Sequence, residues 1–541
     1  MNLEKINGAL DRIRAETDQH KAFRTEHNLL YLEGIDDQDL YEFEELARKE
    51  FDIPTEVMLE AQNSVDLLAG NEEVESLSLF PHSNQEESNV RPEELNFERV
   101  LLDAWLDRYK DYLRHYQGSW WGLTKQGHWI SGVDATCMSL MDKTARDVAS
   151  DIKGKRERKR AYKQLNFHIV QRVLKQASAM QTFEEEGFHK GHPEKPIFDQ
   201  HKHLLGVRSG VVDLRTGRIR AAQPNEYVHK RLSYDPGNAA ECPNFERVLQ
   251  HASQGDEATY DYLLSFFGLC LTGEIEGNHH FPFLHGEPGT GKSTLTDCML
   301  DILEYYAANV ESEHFIKTRY QPHTQWLAGL CGTRLVVISE LPDRATWDTR
   351  KLNRITDGSR ITANRMREND IQFDSQMKVI VCGNHEPKFD VRDGISRRVL
   401  VLKMDTTPSK IDLNLKDRLR EERSAILKKL IDKTAPFYTT GQLPPVPDLM
   451  RSATDQYVHE QDTVKLFVEE QCILGQQETI SLKEIYERYK TVCEEEGRKS
   501  LTKQKFKAHL LSTNPTLHFE AETRNKRLFK GITLADPNYE S

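Results

Sequence analysis

The sequence predicts a multidomain α/β protein whose centre is a parallel sheet carrying a phosphate-binding loop, with helical regions ahead of it and a small mixed domain behind it. Three observations predict this. The chain has 541 residues, enough for three or four domains of roughly 150 residues. Short apolar runs at Phe281–His285, Arg334–Ser339, Met377–Gly383 and Val399–Leu402 read as buried strands. Between the first of these and a helical pattern over Thr294–Tyr306 lies Gly286-Glu287-Pro288-Gly289-Thr290-Gly291-Lys292-Ser293, the strand, loop and helix context that a G-x-x-x-x-G-K-[ST] segment requires.

Composition narrows the class. The longest apolar run, Tyr262–Leu271, is far short of the roughly 20 residues that span a bilayer. The start, Met-Asn-Leu-Glu-Lys-Ile, lacks the basic and apolar regions of a secretory signal. The expectation is a cytoplasmic protein in a bacterial host cell, with no membrane partner. Eight cysteines are scattered with no C-x-x-C pair, which argues for reduced thiols over a disulfide framework or a zinc ribbon. Net charge is −13, but residues 1–100 hold 25 acidic and 9 basic side chains, a balance of −16 that leaves +3 for the rest. A near-neutral body can bind DNA, because affinity follows where Lys and Arg cluster.

Along the chain, residues 1–68 show helical apolar spacing at Leu40, Phe43, Leu46 and Phe51, then Val57, Leu59, Val65 and Leu68. The expectation is an acidic helical domain that serves as a partner-docking or regulatory module. Residues 69–95 are rich in Glu, Ser and Asn, a composition too polar to form a core, and read as an acidic linker. Residues 96–236 form a further domain, helical at first, then β-rich over Leu205–Arg220 with Gly206, Gly210 and Gly217 at tight turns. Its basic run Lys153–Arg160 is either a solvated helix face or a DNA-facing patch. The histidines at 189, 192, 201 and 203 have local metal-like spacing but no Cys or carboxylate set to complete a ligand shell. Residues 237–410 are the motor, 411–460 a helical connector, and 461–541 a DNA-binding domain.

The loop fixes the chemistry. Glycines at 286, 289 and 291 let the backbone curl so that its N–H groups and the following helix N-terminus face phosphates. Lys292 would reach the β- and γ-phosphates of ATP, and the Ser293 hydroxyl would ligate Mg²⁺, with Thr294 opening the helix. Glu340, closing the run Leu-Val-Val-Ile-Ser, is placed to polarise the attacking water and to assist at the metal. Asn384 closes the third strand, where it would hold the γ-phosphate or the water. Arg397 and Arg398 precede the last strand.

These elements, in this order, resemble the superfamily 3 helicases, the AAA+ motors of small DNA viruses, phages and plasmids. The resemblance implies Gly286–Ser293 as Walker A, Glu340 as Walker B, Asn384 as sensor 1, and Arg397 or Arg398 as an arginine finger. Between Walker B and sensor 1, Lys351-Leu-Asn-Arg-Ile-Thr-Asp-Gly-Ser-Arg-Ile-Thr-Ala-Asn-Arg-Met-Arg367 looks like the B-prime motif of that superfamily, with Lys351, the Gly358 turn and the Arg365-x-Arg367 pair. The single acid at Glu340 is similar to the phage and plasmid primase-helicase branch. So are Leu205–Arg220 with Pro224 and Tyr234-Asp-Pro236, and the tail with Ser481–Tyr489, Lys503–Leu511 and Lys530–Leu534, which looks like a closing winged helix. The region before residue 97 is too short and too helical for the primase domain that relatives carry.

The implied function is an ATP-dependent DNA helicase, a homo-oligomeric hexameric ring that moves on single-stranded and forked DNA in replication of a mobile element. A hairpin over Ile361–Phe373 would place Arg367, with Arg365 nearby, against the strand in the channel. In the tail, Lys503, Lys505 and Lys507, with Arg524, Lys526, Arg527 and Lys530, would form one basic surface for phosphates. An origin initiator or loader whose ATPase switches assembly without unwinding shares every nucleotide-binding residue.

Overall fold

The computed structural model describes residues 97–535 apart from 117, 183–195, 276, 278, 318–324, 344, 365–369, 392–393, 409–411, 497, 499 and 522–526, together with 9–11, 13, 14, 43, 46, 47 and 51. Phe43, Leu46 and Phe51 are helical; otherwise most of the acidic front and all of the linker at 69–95 lie outside the described residues. So do the histidines at 189 and 192, the pair Arg365 and Arg367, and Arg524 and Lys526.

The first described unit combines α1 (Phe97–Tyr109), a small antiparallel sheet of β1 (Leu113–Tyr116), β2 (Ser119–Leu123) and β3 (Trp129–Ile130), and three helices, α2 (Asp134–Asp151), α3 (Lys155–Gln164) and α4 (Phe167–Met180). Its core is its own: Leu101, Trp105, Trp120, Cys137, Met141, Val173 and Ala177 are buried together. The indole of Trp105 donates to Gln181 Oε1 at 2.6 Å, satisfying a polar atom that burial would otherwise penalise. Asn166 caps α4 by accepting from Ile169 N, a local signal readable in the sequence.

The hairpins expected at 205–220 are three antiparallel strands, β4 (Leu204–Val207), β5 (Gly210–Asp213) and β6 (Arg218–Arg220). Their buried residues Leu205, Val207, Val212 and Leu214 share one core with α5 (Pro243–Ala252), α6 (Glu257–Cys270) and α7 (Lys292–Leu303), so packing is continuous across residue 236. Trp121 stacks on Phe198 at 4.2 Å and 14°, joining the first unit to the segment that leads into these hairpins.

The central sheet has five parallel strands, β7 (Phe281–His285), β8 (Ala307–Glu311), β9 (Leu335–Ser339), β12 (Lys378–Gly383) and β13 (Val399–Lys403), in the spatial order β13-β7-β12-β9-β8. Its residues divide by the strand period of two. Leu284, Leu335, Val337, Ile380, Leu400 and Leu402 face the core made with α5, α6 and α7. Phe283, Val336, Ile338, Val379, Val381 and Val401 face the other side. Both faces are covered, which is why these runs are continuously apolar. On the second face lie α8 (Thr349–Thr356) and a hairpin of β10 (Arg360–Ala363) and β11 (Ile371–Asp374), with Ile361 opposite Phe373 as the expected turn requires.

After the sheet, α9 (Leu415–Glu421), α10 (Arg423–Asp432) and α11 (Thr434–Thr440) lead to α12 (Asp448–Gln461). The last helix covers the edge strand β13: Val401 N donates to Thr454 Oγ1 at 2.8 Å and Lys403 Nζ to Gln456 Oε1 at 2.9 Å, occupying an edge that would otherwise invite pairing. The final unit is α13 (Thr463–Gln471), β14 (Cys472–Ser481), α14 (Leu482–Glu495), α15 (Lys503–Thr513), β15 (His518–Ala521) and β16 (Arg527–Leu534), with sheet order β14-β16-β15. Its helix, strand, helix, helix, strand, strand order has the winged-helix shape expected. All eight cysteines are free, and among the described residues no group of His, Cys, Asp and Glu is arranged to hold a metal ion and no helix is long and apolar enough to cross a membrane.

Two buried cations lie where β9 and β12 begin. Arg334 is 1% exposed, donates to the carbonyls of Leu271 and Leu204, and stacks 4.5 Å from the Tyr306 ring centre. Lys378 donates to the carbonyls of Thr272, Glu274 and Gln376. Burial, reinforced by the neighbouring Arg334 guanidinium, pushes the Lys378 ammonium from 10.5 down to about 7. Between those values the unfolded chain holds the proton and the folded chain releases it, so this group makes stability rise with pH. The urea midpoint of the wild type should therefore gain more between pH 7 and pH 9 than that of Lys378→Met; equal gains would show that the residue does not titrate in this window.

Candidate nucleotide site and nucleic-acid interface

The segment Gly286–Ser293 leaves the carboxyl end of β7 and enters α7. Gly286 is forced by contact: a Cβ there would fall 2.2 Å from the Met404 carbonyl oxygen. Gly291 is forced by conformation, with φ of 93° just before the helix. Lys292, largely buried, donates to the carbonyls of Gly286 at 2.7 Å and Glu287 at 2.8 Å, and burial lowers its pKa. Thr290 is buried and its hydroxyl donates to the Glu287 carbonyl at 2.9 Å, stiffening the loop. Glu287, Pro288, Gly289 and Ser293 are exposed, and Thr294 is half-buried. A rigid loop with an outward hydroxyl at the N-terminus of a 12-residue helix has the donor geometry for a phosphate chain and an oxygen ligand for its cation.

Glu340 follows the last residue of β9, is exposed, and has φ of +59°. A left-handed backbone is strained for a non-glycine residue, and such strain persists only where the surroundings over-determine it. One such contact is the Ser312 hydroxyl, which donates to the Glu340 carbonyl at 2.9 Å. Asn384 follows β12, also exposed. Because β12 lies between β7 and β9 in a parallel sheet, the P-loop, Glu340 and Asn384 all leave the same end of it, where ligands of open α/β sheets bind.

Sequence reasoning passed over several neighbours. His285, the last residue of β7, has Nδ1 3.6 Å from Glu386 Oε1; burial lowers the pKa of the imidazole and raises that of the carboxyl. Glu311 ends β8 directly opposite Ser339, so a second exposed carboxylate stands one strand away from Glu340. His251 on α5 approaches Gly291 and bonds the Thr406 carbonyl at 3.1 Å. His285 directly precedes the loop, whereas His251, Glu311 and Glu386 are remote from it in sequence and no local pattern marks them.

The two arginines before β13 differ. Arg398 is half-buried and donates to Asn353 O at 3.3 Å and Thr356 Oγ1 at 3.0 Å on α8. Arg397 is exposed and, among the described residues, makes no ion pair. Both stand at the start of β13, the end of the sheet opposite their own P-loop. Lys351 lies on α8 with its ammonium 3.8 Å from Asp348.

The basic residues of the tail do not make one surface. Lys503 and Lys507, one helical turn apart on α15, lie over the Tyr486 ring at 5.7 Å and the Phe519 ring at 3.3 Å, and burial followed by the nearby Arg527 lowers the Lys507 pKa. Lys505 projects elsewhere, as i+2 on a helix must, into a cleft of about 580 Å³ shared with Lys317, Lys388 and Arg498. Lys530 is exposed but paired with Glu520 at 2.7 Å. Beneath them His509 Nε2 bonds both oxygens of Asp462 at 2.9 Å, while Asp462 also caps α13; this buried pair pins α15 to α13.

Comparison with known proteins agrees with this layout. A D5 N-terminal-like family model matches residues 103–254, a family of unknown function (DUF5906) matches 284–398, and a poxvirus D5 protein-like family matches 459–535. A protein of Acanthamoeba polyphaga mimivirus named as a helicase is 24% identical over 216 residues, 38% of this chain and 22% of that protein; the chain thus spans about a fifth of that relative's length. Among solved structures, two of the C-terminal region of NrS-1 align at TM-scores of 0.35 and 0.34 with 11% identity, covering 57% and 56% of this chain and 82% and 80% of theirs. With D5-type modules matched on both sides of the P-loop sheet, the chain is similar to proteins of the primase-helicase type.

Proposed function

We propose that this protein is an ATP-hydrolysing replicative DNA helicase that assembles into a hexameric ring and translocates on single-stranded DNA of a phage, plasmid or other mobile element. The observation that carries the reading is the convergence of the P-loop, Glu340 and Asn384 at one end of the parallel sheet. In this reading the P-loop amides, Lys292 and the α7 N-terminus would hold the ATP phosphates, and Ser293 with Glu340 would hold Mg²⁺, which when bound would neutralise charge on the β- and γ-phosphates. Glu340 accepts a proton from the attacking water, and Asn384 orients that water.

The sheet geometry supports assembly. Val399 pairs with Phe281 and Lys403 with His285, so Arg397 lies roughly 20 Å of strand below its own loop at about 3.3 Å per residue. An arginine so placed reaches ATP only in a neighbouring copy. Arg398 instead holds α8. The segment joining β10 to β11, whose sequence includes Arg365 and Arg367, then contacts the strand inside the ring, and Lys503, Lys507 and Arg527 supply further phosphate contacts.

The full chain should separate a forked duplex with ATP and Mg²⁺, and Lys292→Ala should not; ATP-dependent DNA binding without strand separation would favour the initiator or loader instead. Glu340→Gln should bind ATP and fail to turn it over. Glu340→Gly should lose hydrolysis equally yet melt no lower than wild type, because it relieves about 1 kcal/mol of left-handed strain; a clear drop in its melting temperature would make Glu340 a structural residue. Arg397→Ala should keep its stability and regain activity when mixed with Lys292→Ala, since mixed rings contain intact interfaces. Arg398→Ala should lose about 1–2 kcal/mol with its two hydrogen bonds. Absence of rescue at every mixing ratio, with rings still formed, would exclude a finger acting between subunits.

A further inference from the structure

The helix α3 is exposed in a way its own domain does not explain. Among the described side chains of Lys155–Lys163 only Ala161 is buried, while Lys155, Arg156, Arg158, Lys159, Arg160 and Lys163 are all exposed, as is Lys153 just before it. Glu157 is the one acid in the helix. At 3.6 residues per turn these cations spread over roughly 200° opposite Ala161, and Tyr162, 48% exposed, stands within that arc. Lys155 with Lys159, Lys159 with Lys163, and Arg156 with Arg160 are like charges at i,i+4, each pair unfavourable. Among the described residues none of Lys155, Arg156, Lys159, Arg160 and Lys163 has a carboxylate partner. A helix that repels itself and buries one methyl group gains little from its own fold.

The chain then turns directly into α4, and the first residue of that helix, Phe167, is 61% exposed. It borders a hollow of about 460 Å³ whose walls include Met138, Asp142, Arg146, Leu165 and Asn166. Asp142 and Arg146 pair with each other at 2.8 Å, and Asn166 Oδ1 is used by the α4 cap at 3.1 Å, so the rest of the lining is the aromatic ring and an aliphatic wall with the Ser139 hydroxyl in it. An uncovered aromatic beside a dense row of cations is the combination that single-stranded nucleic acid uses: phosphates along the cations and a base on the ring. Duplex DNA offers the phosphates but keeps its base faces stacked.

We propose that the α2–α3–α4 corner is a second binding site for single-stranded nucleic acid, with the backbone along α3 and a base lodged against Phe167 in the hollow. It rests on the helicase reading only for the identity of the strand as DNA. The acidic first 96 residues are the competing occupant of the same charge.

The test measures binding of a fluorescent oligo-dT and of a duplex of equal length by the full chain, without nucleotide, across a salt series. Replacing Lys155, Arg156, Lys159 and Lys163 together by Gln should weaken oligo-dT binding by more than tenfold near 0.1 M salt and flatten the slope of log affinity against log salt by roughly 2 to 3, the change expected for about four lost phosphate contacts. Phe167→Ala should weaken oligo-dT by on the order of fivefold or more and leave the duplex unchanged. Both variants should keep basal ATPase activity and the wild-type circular dichroism spectrum, since every replaced side chain is exposed. Unaltered affinity and salt slope in the Gln variant would overturn the proposal. So would unaltered strand binding accompanied by faster proteolysis within residues 1–96, which would identify the acidic segment as the true partner of α3. Equal losses on oligo-dT and duplex in Phe167→Ala would overturn the base-stacking part. DNA-stimulated ATPase in the wild type is scored separately: its absence counts against the helicase reading, whereas its presence alongside unaltered binding in the variants counts against this site alone.

Discussion

Two buried basic side chains hold the lower end of the central sheet together. Arg334, one residue before β9, and Lys378, the first residue of β12, give their N–H groups to main-chain carbonyls of β4, of the end of α6 and of the loop after it. Removing either would leave buried carbonyls unpaired, at about 1–3 kcal/mol each. These bonds make the antiparallel hairpins, the helix under the P-loop strand and the parallel sheet one mechanical body. A single core running from Leu205 through Leu264 to Leu402 has the same effect in apolar terms.

That rigidity matters at the opposite end of the sheet. A strained residue at Glu340 needs its strand fixed on both sides, and β9 is fixed by β8 and β12 with five and four paired positions. The P-loop is fixed from outside as well: Met404 N donates to His285 O at 2.7 Å, and the Met404 carbonyl sits where any side chain at Gly286 would have to go. The loop is therefore held against β13 as closely as its composition permits, and glycine at that position follows from an approach that the sequence alone does not display.

Much of this was legible because local chemistry and tertiary placement coincide. The P-loop glycines, the four apolar runs and the hairpin over Ile361–Phe373 each announce their structure within a dozen residues. What was hidden depends on side chains whose partners are far away in the chain. Lys378 reads as one polar residue in an apolar run, yet its carbonyl partners at 272 and 274 lie a hundred positions earlier. Arg397 and Arg398 are adjacent and chemically identical; only the position of α8 separates a structural guanidinium from an exposed one. Lys503, Lys505 and Lys507 read as one basic row because they are close in sequence, although a helix sends the middle one to another side.

Arg398 also shows how the ends of the molecule are joined. Its carbonyl accepts from Phe281 N at 2.8 Å, at the start of the P-loop strand, while its guanidinium holds the last turn of α8. The hairpin begins four residues after that turn, and its far strand returns to the same place: Ser375 donates through its hydroxyl to Ile355 O and through its amide to Ser359 O at 3.2 Å. Both legs of the hairpin are thus rooted on α8, and α8 is rooted on the residue next to Arg397. Under the proposed function, a force on Arg397 from a nucleotide in an adjoining copy would act on the anchor of the hairpin through one peptide unit and two hydrogen bonds, with the five-stranded sheet as the stiffer frame behind it. That reading requires such a division, a stiff frame around the phosphates and a short lever leading away from it.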